Sequence, residues 1–300
     1  TLKVLVLGIV EGFTEWLPIS STGHLILVER LIPFKQTSEG FFDMFDVVIQ
    51  LGAILAVVVL FWNKIWPFYL KKNKQPKKGG IVKSAKDPAV GNVALSMDAF
   101  WMWVKIVVAC IPAVVYGLLF DDAVGEAFQK EIGSSGVTIQ VIVVAVMLVV
   151  VGVLFIVIEN WNKDRVPTTT KLSQLTYRDA LIIGLCQLVA AALPGTSRSG
   201  ATILGAIMIG ISRTVAAEFT FFLAIPVMFG ASLLKLLKFG FAFTGMELAC
   251  LLVGTVISFI VSLFVLRFLM GYIKKHDFKV FGWYRIVLGI IVLLYFLVFA

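Results

Sequence analysis

Six apolar runs constrain this chain more than any other feature, because each is long enough to cross a bilayer. A membrane-spanning α-helix needs about 20 consecutive, mostly apolar residues. Inside lipid every backbone N–H and C=O group must be satisfied within the protein, so only helices and closed β-barrels span membranes. The runs are continuous and do not alternate in polarity, which predicts helices. They cover residues 47–70, 100–120, 137–158, 215–237, 247–270 and 280–299.

Composition supports the same fold class. Of the 300 residues, 60% are hydrophobic and 15% are charged, whereas a soluble domain carries about 25% charged residues. The formal net charge of +8 does not indicate nucleic acid as a partner, because lysine and arginine gather in cytoplasmic loops of membrane proteins and suit anionic lipid headgroups. The sequence therefore predicts an all-α integral membrane protein that contacts membrane lipids and binds no nucleic acid.

Two further apolar regions, 2–30 and 180–211, are interrupted by proline, glycine, serine and charged residues. A straight helix facing lipid does not tolerate such breaks, whereas a re-entrant helix pair that lines a cavity does. Loops 71–98 and 159–179 are rich in lysine and arginine, which places both in the cytoplasm. The remaining loops then alternate sides without conflict only if each re-entrant pair returns to the side from which it entered.

This arrangement predicts an inverted-topology repeat with about six spanning helices and two re-entrant helix pairs. Residues 1–158 form the first repeat, which includes loop 71–98. Residues 159–179 form a cytoplasmic linker, and residues 180–300 form the second repeat. Both chain ends are expected outside. In such folds the two broken helices meet near the membrane midplane and form the binding site.

The first re-entrant region concentrates two carboxylates, several hydroxyls and a histidine in the sequence EGFTEWLPISSTGH, from Glu11 to His24. Glu11 and Glu15 are four residues apart, so they share one face of a helix. Pro18 ends that helix, and residues 20–23 are predicted to form a polar turn. Because ionisable groups at membrane depth are costly, this stretch indicates a functional site that faces the protein interior.

The second re-entrant region carries the sequence PGTSRSGA at residues 194–201. Its glycines let the backbone approach an anion closely, and a helix that begins near Ser199 would aim its first N–H groups at that anion. Arg198 supplies a planar fork for phosphate oxygens. Together the two regions predict a phosphate cradle, whose members are Ser20, Thr22, Gly23, Gly195, Thr196, Ser197, Ser199 and Gly200.

These two motifs are similar to the signature motifs of the undecaprenyl-diphosphate phosphatases of the bacitracin-resistance family, and the resemblance extends over nearly the whole chain. It includes FDVVIQLG at 45–52, IPAV at 111–114 and GISR at 210–213. The resemblance implies hydrolysis of a C55 isoprenyl diphosphate to its monophosphate and inorganic phosphate. It also implies a place in the bacterial inner membrane, a site open to the outer face, and a role in recycling the lipid carrier of cell-wall synthesis.

The residues suit that chemistry, since hydrolysis needs a nucleophile, charge neutralisation and proton transfer. Ser21 is the candidate nucleophile with His24 as its base. Two alternatives stay open: His24 as the direct nucleophile, or a water activated by a glutamate. Glu11 and Glu15 are candidate ligands of a divalent cation, Mg²⁺ or Ca²⁺, alongside the diphosphate. Arg198 completes the predicted catalytic set.

The alternative function is a lipid-phosphate transporter or flippase, because inverted repeats with broken helices are a transporter architecture. Such a protein would use the same phosphate cradle but has less need of the carboxylate, serine and histidine cluster. A phosphatase of the phosphatidic-acid type is excluded, because it needs two catalytic histidines in separate motifs and no histidine follows Arg198 before His276. The oligomeric state stays open, a homo-oligomer included.

Three further charged residues are predicted to have structural roles. Arg213 and Glu218, five residues apart at the start of a helix, are expected to form an ion pair. Arg285 lies near the end of an apolar run and is expected to extend its guanidinium toward the membrane surface.

Overall fold

In the computed structural model the chain is a bundle of long α-helices with two pairs of shorter helices among them. Most of the lysine-rich loop 71–98 lies outside the described part of the chain, and so does most of the acidic loop 121–136. The structure describes residues 2–31, 38, 40–70, 88–90, 93–120, 127–128, 130, 138–240 and 242–299.

Within these ranges six helices are long and apolar enough to cross a membrane, which confirms the predicted all-α membrane architecture. They contain 21 to 28 residues, and at about 1.5 Å per residue they span the roughly 30 Å hydrocarbon core of a bilayer. The helices are α1 (Leu2–Thr14), α2 (Ser21–Leu31), α3 (Phe41–Ile65), α4 (Met97–Leu119), α5 (Ile139–Trp161), α6 (Tyr177–Ala192), α7 (Arg198–Met208), α8 (Arg213–Phe239), α9 (Gly245–Tyr272) and α10 (Lys279–Phe299), with a 3₁₀ turn at Leu172–Gln174.

The first spanning helix, α3, lies about five residues earlier than the predicted run 47–70. Its end is set by Pro67, because the residue before a proline is disfavoured in helical conformation. Trp66 is accordingly extended, with φ −78° and ψ 115°. The chain then enters a small antiparallel sheet of order β1-β3-β2 that the sequence did not predict. Its strands are β1 (Phe68–Leu70), β2 (Ala89–Val90) and β3 (Val93–Leu95).

The short helices form the two predicted re-entrant pairs. Helix α1 is followed by α2 across the turn that contains Pro18, and α6 is followed by α7 across the turn that contains Pro194. Each pair precedes three long helices, so the order of elements repeats. Helix α1 packs on α9, and α6 packs on α4. In both cases the first helix of a pair contacts the second long helix of the other half, which is the reciprocal packing that an inverted repeat produces. The division at 1–158, 159–179 and 180–300 stays a prediction.

Two ion pairs link long helices inside the bundle. Arg213 at the start of α8 donates to Glu159 near the end of α5, with Nε 2.9 Å from Oε1. Glu159 is buried and also accepts the N–H of Phe278. Glu218 instead accepts from Lys64 in α3 at 2.6 Å. The predicted Arg213–Glu218 pair is therefore wrong. Residues five apart do not face each other on a helix. Arg213 and Glu218 each pair instead with an oppositely charged residue on another helix.

Glycines let the backbones of packed helices approach closely in this bundle, as they do in other membrane helix pairs. A Cβ on Gly12 of α1 would lie 2.7 Å from the carbonyl oxygen of Ser258 in α9. A Cβ on Gly52 of α3 would lie 2.1 Å from the carbonyl oxygen of Thr255, also in α9. The backbones of α1 and α3 therefore pack directly against the backbone of α9. This contact holds the first re-entrant pair against the second half of the chain.

Gly52→Ala is expected to destabilise the protein, because the new methyl group would collide with the backbone of Thr255. Separating α3 from α9 to admit it should cost about 1–3 kcal/mol of unfolding free energy. Gly117→Ala in α4 is the matched control, since no heavy atom of the described residues, apart from the backbone of its own helix, lies within 4 Å of its added Cβ. Thermal unfolding in detergent should show a lower melting temperature for Gly52→Ala alone; equal values would contradict the close α3–α9 contact.

Candidate active site

The two re-entrant turns meet at one carboxylate. Arg198, the first residue of α7, donates from Nη2 to Oε1 of Glu15 at 2.8 Å. Ser21, the first residue of α2, donates from Oγ to Oε2 of the same carboxylate at 3.2 Å. Ser199 of α7 donates to the backbone carbonyl of Glu15 at 3.2 Å. The N-termini of α2 and α7 therefore converge on Glu15, and a helix N-terminus is a ready-made anion site.

Arg198 keeps one donor free for a ligand. Its guanidinium is largely buried, with 14% of the side chain exposed, and its carbon Cζ lies 6.0 Å from the centre of the Trp16 ring. While Nη2 is held by Glu15, the buried Nη1 atom has no hydrogen-bond partner among the described residues. A buried donor without a partner is costly, so Nη1 is the group that a phosphate oxygen would satisfy.

The residues of the predicted phosphate cradle lie around the start of α7, and their role as a cradle stays a prediction. The helix begins at Arg198, one residue before the expected position, with Ser197 as its N-cap. The hydroxyl of Ser197 accepts the N–H of Gly200 at 3.2 Å and lies 3.2 Å from the hydroxyl of Ser199. The buried hydroxyl of Thr196 has no partner among the described residues. Three hydroxyl-bearing residues, Thr196, Ser197 and Ser199, thus lie within two residues of Arg198 in the chain.

Residues 20–23 differ from the predicted polar turn. Ser20 has φ 73°, and α2 begins directly after it, so Ser21, Thr22 and Gly23 form its first turn. The N–H of Gly23 lies 3.5 Å from the hydroxyl of Ser20, which is too long for a strong capping bond. The first N–H groups of α2 are therefore weakly satisfied, and this segment offers donors from a helix end.

Glu11 occupies the most unfavourable position in the site. Its side chain is fully buried, and neither carboxylate oxygen has a hydrogen-bond donor among the described residues. It interacts electrostatically with the carboxylates of Glu15 and Asp46. A buried carboxylate beside other carboxylates requires a proton or a cation to offset the desolvation and repulsion.

A divalent cation fits these oxygens only in part. The described ranges contain no group of three acidic, histidine or cysteine side chains that would hold a metal by themselves. Mg²⁺, however, is commonly bound by one or two carboxylates together with substrate phosphates. The unpartnered oxygens of Glu11, with Glu15 next to them, match that donor set. The predicted cation role of both residues stays a prediction.

His24 does not bond Ser21 in this structure. Its Nδ1 donates to the carbonyl of Ser20 at 2.7 Å, and its Nε2 lies 2.7 Å from the hydroxyl of Tyr284. Because a carbonyl only accepts, the proton of a neutral ring sits on Nδ1, and Nε2 accepts from Tyr284. Since Ser21 donates to Glu15, Glu15 is a second candidate base next to Ser21, and the role of His24 as the base stays a prediction.

Arg285 was missed as a site residue, and its predicted extension toward the membrane surface is wrong. Its side chain is fully buried. The guanidinium donates to the carbonyls of Gly195 at 2.8 Å, Thr196 at 3.0 Å and Pro18 at 3.2 Å. One side chain of α10 thus ties both re-entrant turns together. The signal was present in the sequence, because an ionisable group at membrane depth indicates function by the argument already applied to the stretch from Glu11 to His24.

This geometry defines a class of protein: a polytopic helical membrane protein whose two re-entrant helix pairs bring carboxylates, hydroxyls and arginines together. The chain belongs to the bacitracin resistance protein BacA family, whose family model matches residues 4–291.

Curated relatives cover nearly all of the chain. The undecaprenyl-diphosphatase of Desulfitobacterium hafniense is 57% identical over 294 residues, which is 98% of this chain and 95% of that protein. An undecaprenyl-diphosphatase of Enterococcus faecalis is 56% identical, with coverage of 98% and 96%. The undecaprenyl-diphosphatase of Acetivibrio thermocellus is 54% identical, with coverage of 99% and 97%.

Arg285→Lys is expected to impair catalysis without unfolding the protein, because lysine keeps the charge but cannot hold the carbonyls of both turns at once. A displacement of about 1 Å in a reacting group costs on the order of 100-fold in rate, so a loss of kcat of that size is expected. Arg267→Lys, an exposed position of α9, is the control. Wild-type kcat in Arg285→Lys would show that the carbonyl contacts do not position the site.

Proposed function

We propose that this protein is an integral membrane hydrolase that converts undecaprenyl diphosphate to undecaprenyl phosphate and inorganic phosphate. The observation that carries this proposal is the convergence of Arg198, Ser21 and two helix N-termini on Glu15. The names of the relatives support the same activity. The flippase alternative is not favoured, because those relatives are named for hydrolysis and a flippase has no use for a serine bonded to a buried carboxylate.

The substrate has an apolar chain and a strongly anionic head, and the fold suits both. The chain would remain among the apolar helices, while the diphosphate would reach the N-termini of α2 and α7. The free Nη1 of Arg198 and the unpartnered hydroxyl of Thr196 would donate to its oxygens. Arginine suits this role because its planar fork matches two phosphate oxygens.

Ser21 would attack the terminal phosphorus. Its Oγ–H donates to Glu15, so the proton would pass to that carboxylate as the Oγ–P bond forms and undecaprenyl phosphate leaves. Water would then hydrolyse the phosphoserine and release inorganic phosphate. His24 would act indirectly, because it holds the carbonyl of Ser20 next to the nucleophile. The N–H groups and Arg198 would stabilise the charge that develops on the phosphoryl oxygens.

Glu11, with Glu15 for as long as that carboxylate is unprotonated, would hold a divalent cation, Mg²⁺ or Ca²⁺, together with oxygens of the diphosphate. When bound, such a cation neutralises phosphate charge and acts as a Lewis acid. The support for this assignment is that the buried carboxylate oxygens of Glu11 accept no hydrogen bond from the described residues, so a cation could offset their charge.

The protein would lie in the bacterial inner membrane with the site open to the outer face. The basis is the excess of lysine in loop 71–98 and of basic residues in loop 159–179, which favours the cytoplasm for both. A site open to the outer face would return the lipid carrier to cell-wall synthesis.

Purified protein in detergent, where transport is undefined, is expected to release inorganic phosphate from undecaprenyl diphosphate. Arg198→Lys should lower kcat/KM by about 100-fold or more, because the charge remains but the fork is lost. Arg178→Lys, exposed in α6, is the control. A chelator should slow the reaction, and added Mg²⁺ or Ca²⁺ should restore it. Absence of phosphate release would refute the hydrolase, and insensitivity to the chelator would refute the cation.

The identity of the base is tested by comparing Glu15→Gln with His24→Ala. If Glu15 accepts the proton of Ser21, Glu15→Gln should abolish turnover, whereas His24→Ala should leave a reduced but measurable rate. The opposite pattern would restore His24 as the base. Ser21→Ala should be inactive, and Ser173→Ala, exposed in the 3₁₀ turn, should be unaffected. Substantial activity in Ser21→Ala would exclude serine as the nucleophile and favour water or His24.

A further inference from the structure

A cavity lined by both polar and apolar residues lies away from the candidate active site, where three long helices begin or end. It has a volume of about 650 Å³. It is bounded by the segment after α5, by the turn between α7 and α8, and by the two residues that follow α9. Lys163, Arg165, Arg213 and Lys274 line it. We call it the basic cavity.

The basic cavity carries an excess of positive charge. Arg213 is neutralised by Glu159, but Lys163, Arg165 and Lys274 form no ion pair within the described ranges. The Arg165 guanidinium is held over the ring of Trp161, 3.7 Å from its centre. In the part of the chain that the structure describes, three cations therefore line one cavity without acidic partners.

Neutral donors add to these cations. Ser212 is the N-cap of α8, but its side chain makes no capping hydrogen bond. The first N–H groups of α8 are thus left to another acceptor. Ser212 and Thr214, which both carry hydroxyl groups, also line the cavity. Cations, hydroxyls and helix N–H groups together are the donor set that recognises a phosphate anion.

The walls of the basic cavity are held in place by backbone contacts. Thr168 donates its N–H to the carbonyl of Gly210 at 2.9 Å, and Ser212 donates its N–H to the carbonyl of Thr169 at 2.9 Å. A parallel bridge joins Thr169 and Ile211. The segment after α5 is therefore fixed to the turn between α7 and α8, so the cavity exists without a ligand and binding would cost little ordering entropy.

The position and the apolar lining favour a lipid as the source of the phosphate. The cavity lies at the ends of membrane-length helices, where a bilayer presents its headgroups. Val166, Ile207 and Met208 line it beside the cations, and Val166 and Met208 are exposed. Basic pockets between membrane helices are typical binding sites for anionic lipid headgroups.

The basic cavity is distinct from the active site. Helix α7 connects the two, with Arg198 at the active site and Met208 at the cavity. Ten helical steps of about 1.5 Å separate these residues by roughly 15 Å. We propose that the basic cavity is a second site, which binds the phosphate headgroup of an anionic phospholipid while the active site processes its own substrate.

The test uses full-length protein in detergent and native mass spectrometry with phosphatidylglycerol and phosphatidylcholine of identical acyl chains. Wild type should retain phosphatidylglycerol preferentially. Lys163→Ala/Lys274→Ala should weaken that retention by about 30-fold, because two lysines near an anionic headgroup are lost. Lys171→Ala/Lys275→Ala is the matched control, since it removes the same charge from exposed lysines that do not line the cavity. Phosphate release should be similar in all three proteins.

Equal retention of the two lipids by wild type would overturn the proposal. Equal loss in the two double variants would also overturn it, because it would show a diffuse effect of charge. A parallel arm measures binding of inorganic phosphate alone. Phosphate binding that follows the same variant pattern, without preference for phosphatidylglycerol, would overturn the lipid as ligand and assign the cavity to free phosphate.

Discussion

The ion pair between Arg198 and Glu15 is the interaction on which the site depends, because its partners come from different halves of the chain. Both side chains are largely buried. Removing one partner of such a pair commonly costs about 3–5 kcal/mol, since the other charge is left unpaired in a poorly solvated place. The same carboxylate receives Ser21. The pair therefore brings the start of α2 to the start of α7 and orients the serine beside the arginine.

The two re-entrant pairs share a backbone plan but differ in chemistry. Glu11 and Gln187 each stand seven residues before the proline of their pair. Both are buried, and the side-chain polar atoms of both lack partners among the described residues. The first half thus places a carboxylate where the second places a neutral amide, and the second half supplies Arg198. The two halves therefore repeat one backbone geometry but contribute different side chains, with the carboxylates of Glu11 and Glu15 from the first half and the guanidinium of Arg198 from the second.

The lengths of the apolar runs and the positions of the breaks in two of them predicted most of the fold, because a segment inside a membrane can adopt few backbone structures. The two motifs likewise predicted which turns meet. The pairings inside the site were not predictable, because proximity in sequence does not decide them. His24 is three residues from Ser21, yet it bonds Tyr284 of α10. Arg213 likewise bonds Glu159, 54 residues away. The position of Arg285 near the end of an apolar run predicted an exposed guanidinium. Its actual partners are backbone carbonyls of both turns, and the sequence does not show that these turns lie beside α10.

Arg285 also explains how the turns keep an unfavourable backbone. Ser20 and Ser197, the residues directly before α2 and α7, have φ of 73° and 70°, and such conformations cost non-glycine residues about 1–3 kcal/mol each. The guanidinium holds the carbonyl of Pro18 in one turn and those of Gly195 and Thr196 in the other. Arg285 therefore forms hydrogen bonds to the backbone one or two residues before each of the two serines. Because these contacts fix where both helices begin, the donors can be aimed at an anion before one arrives, which is the condition for electrostatic catalysis without reorganisation.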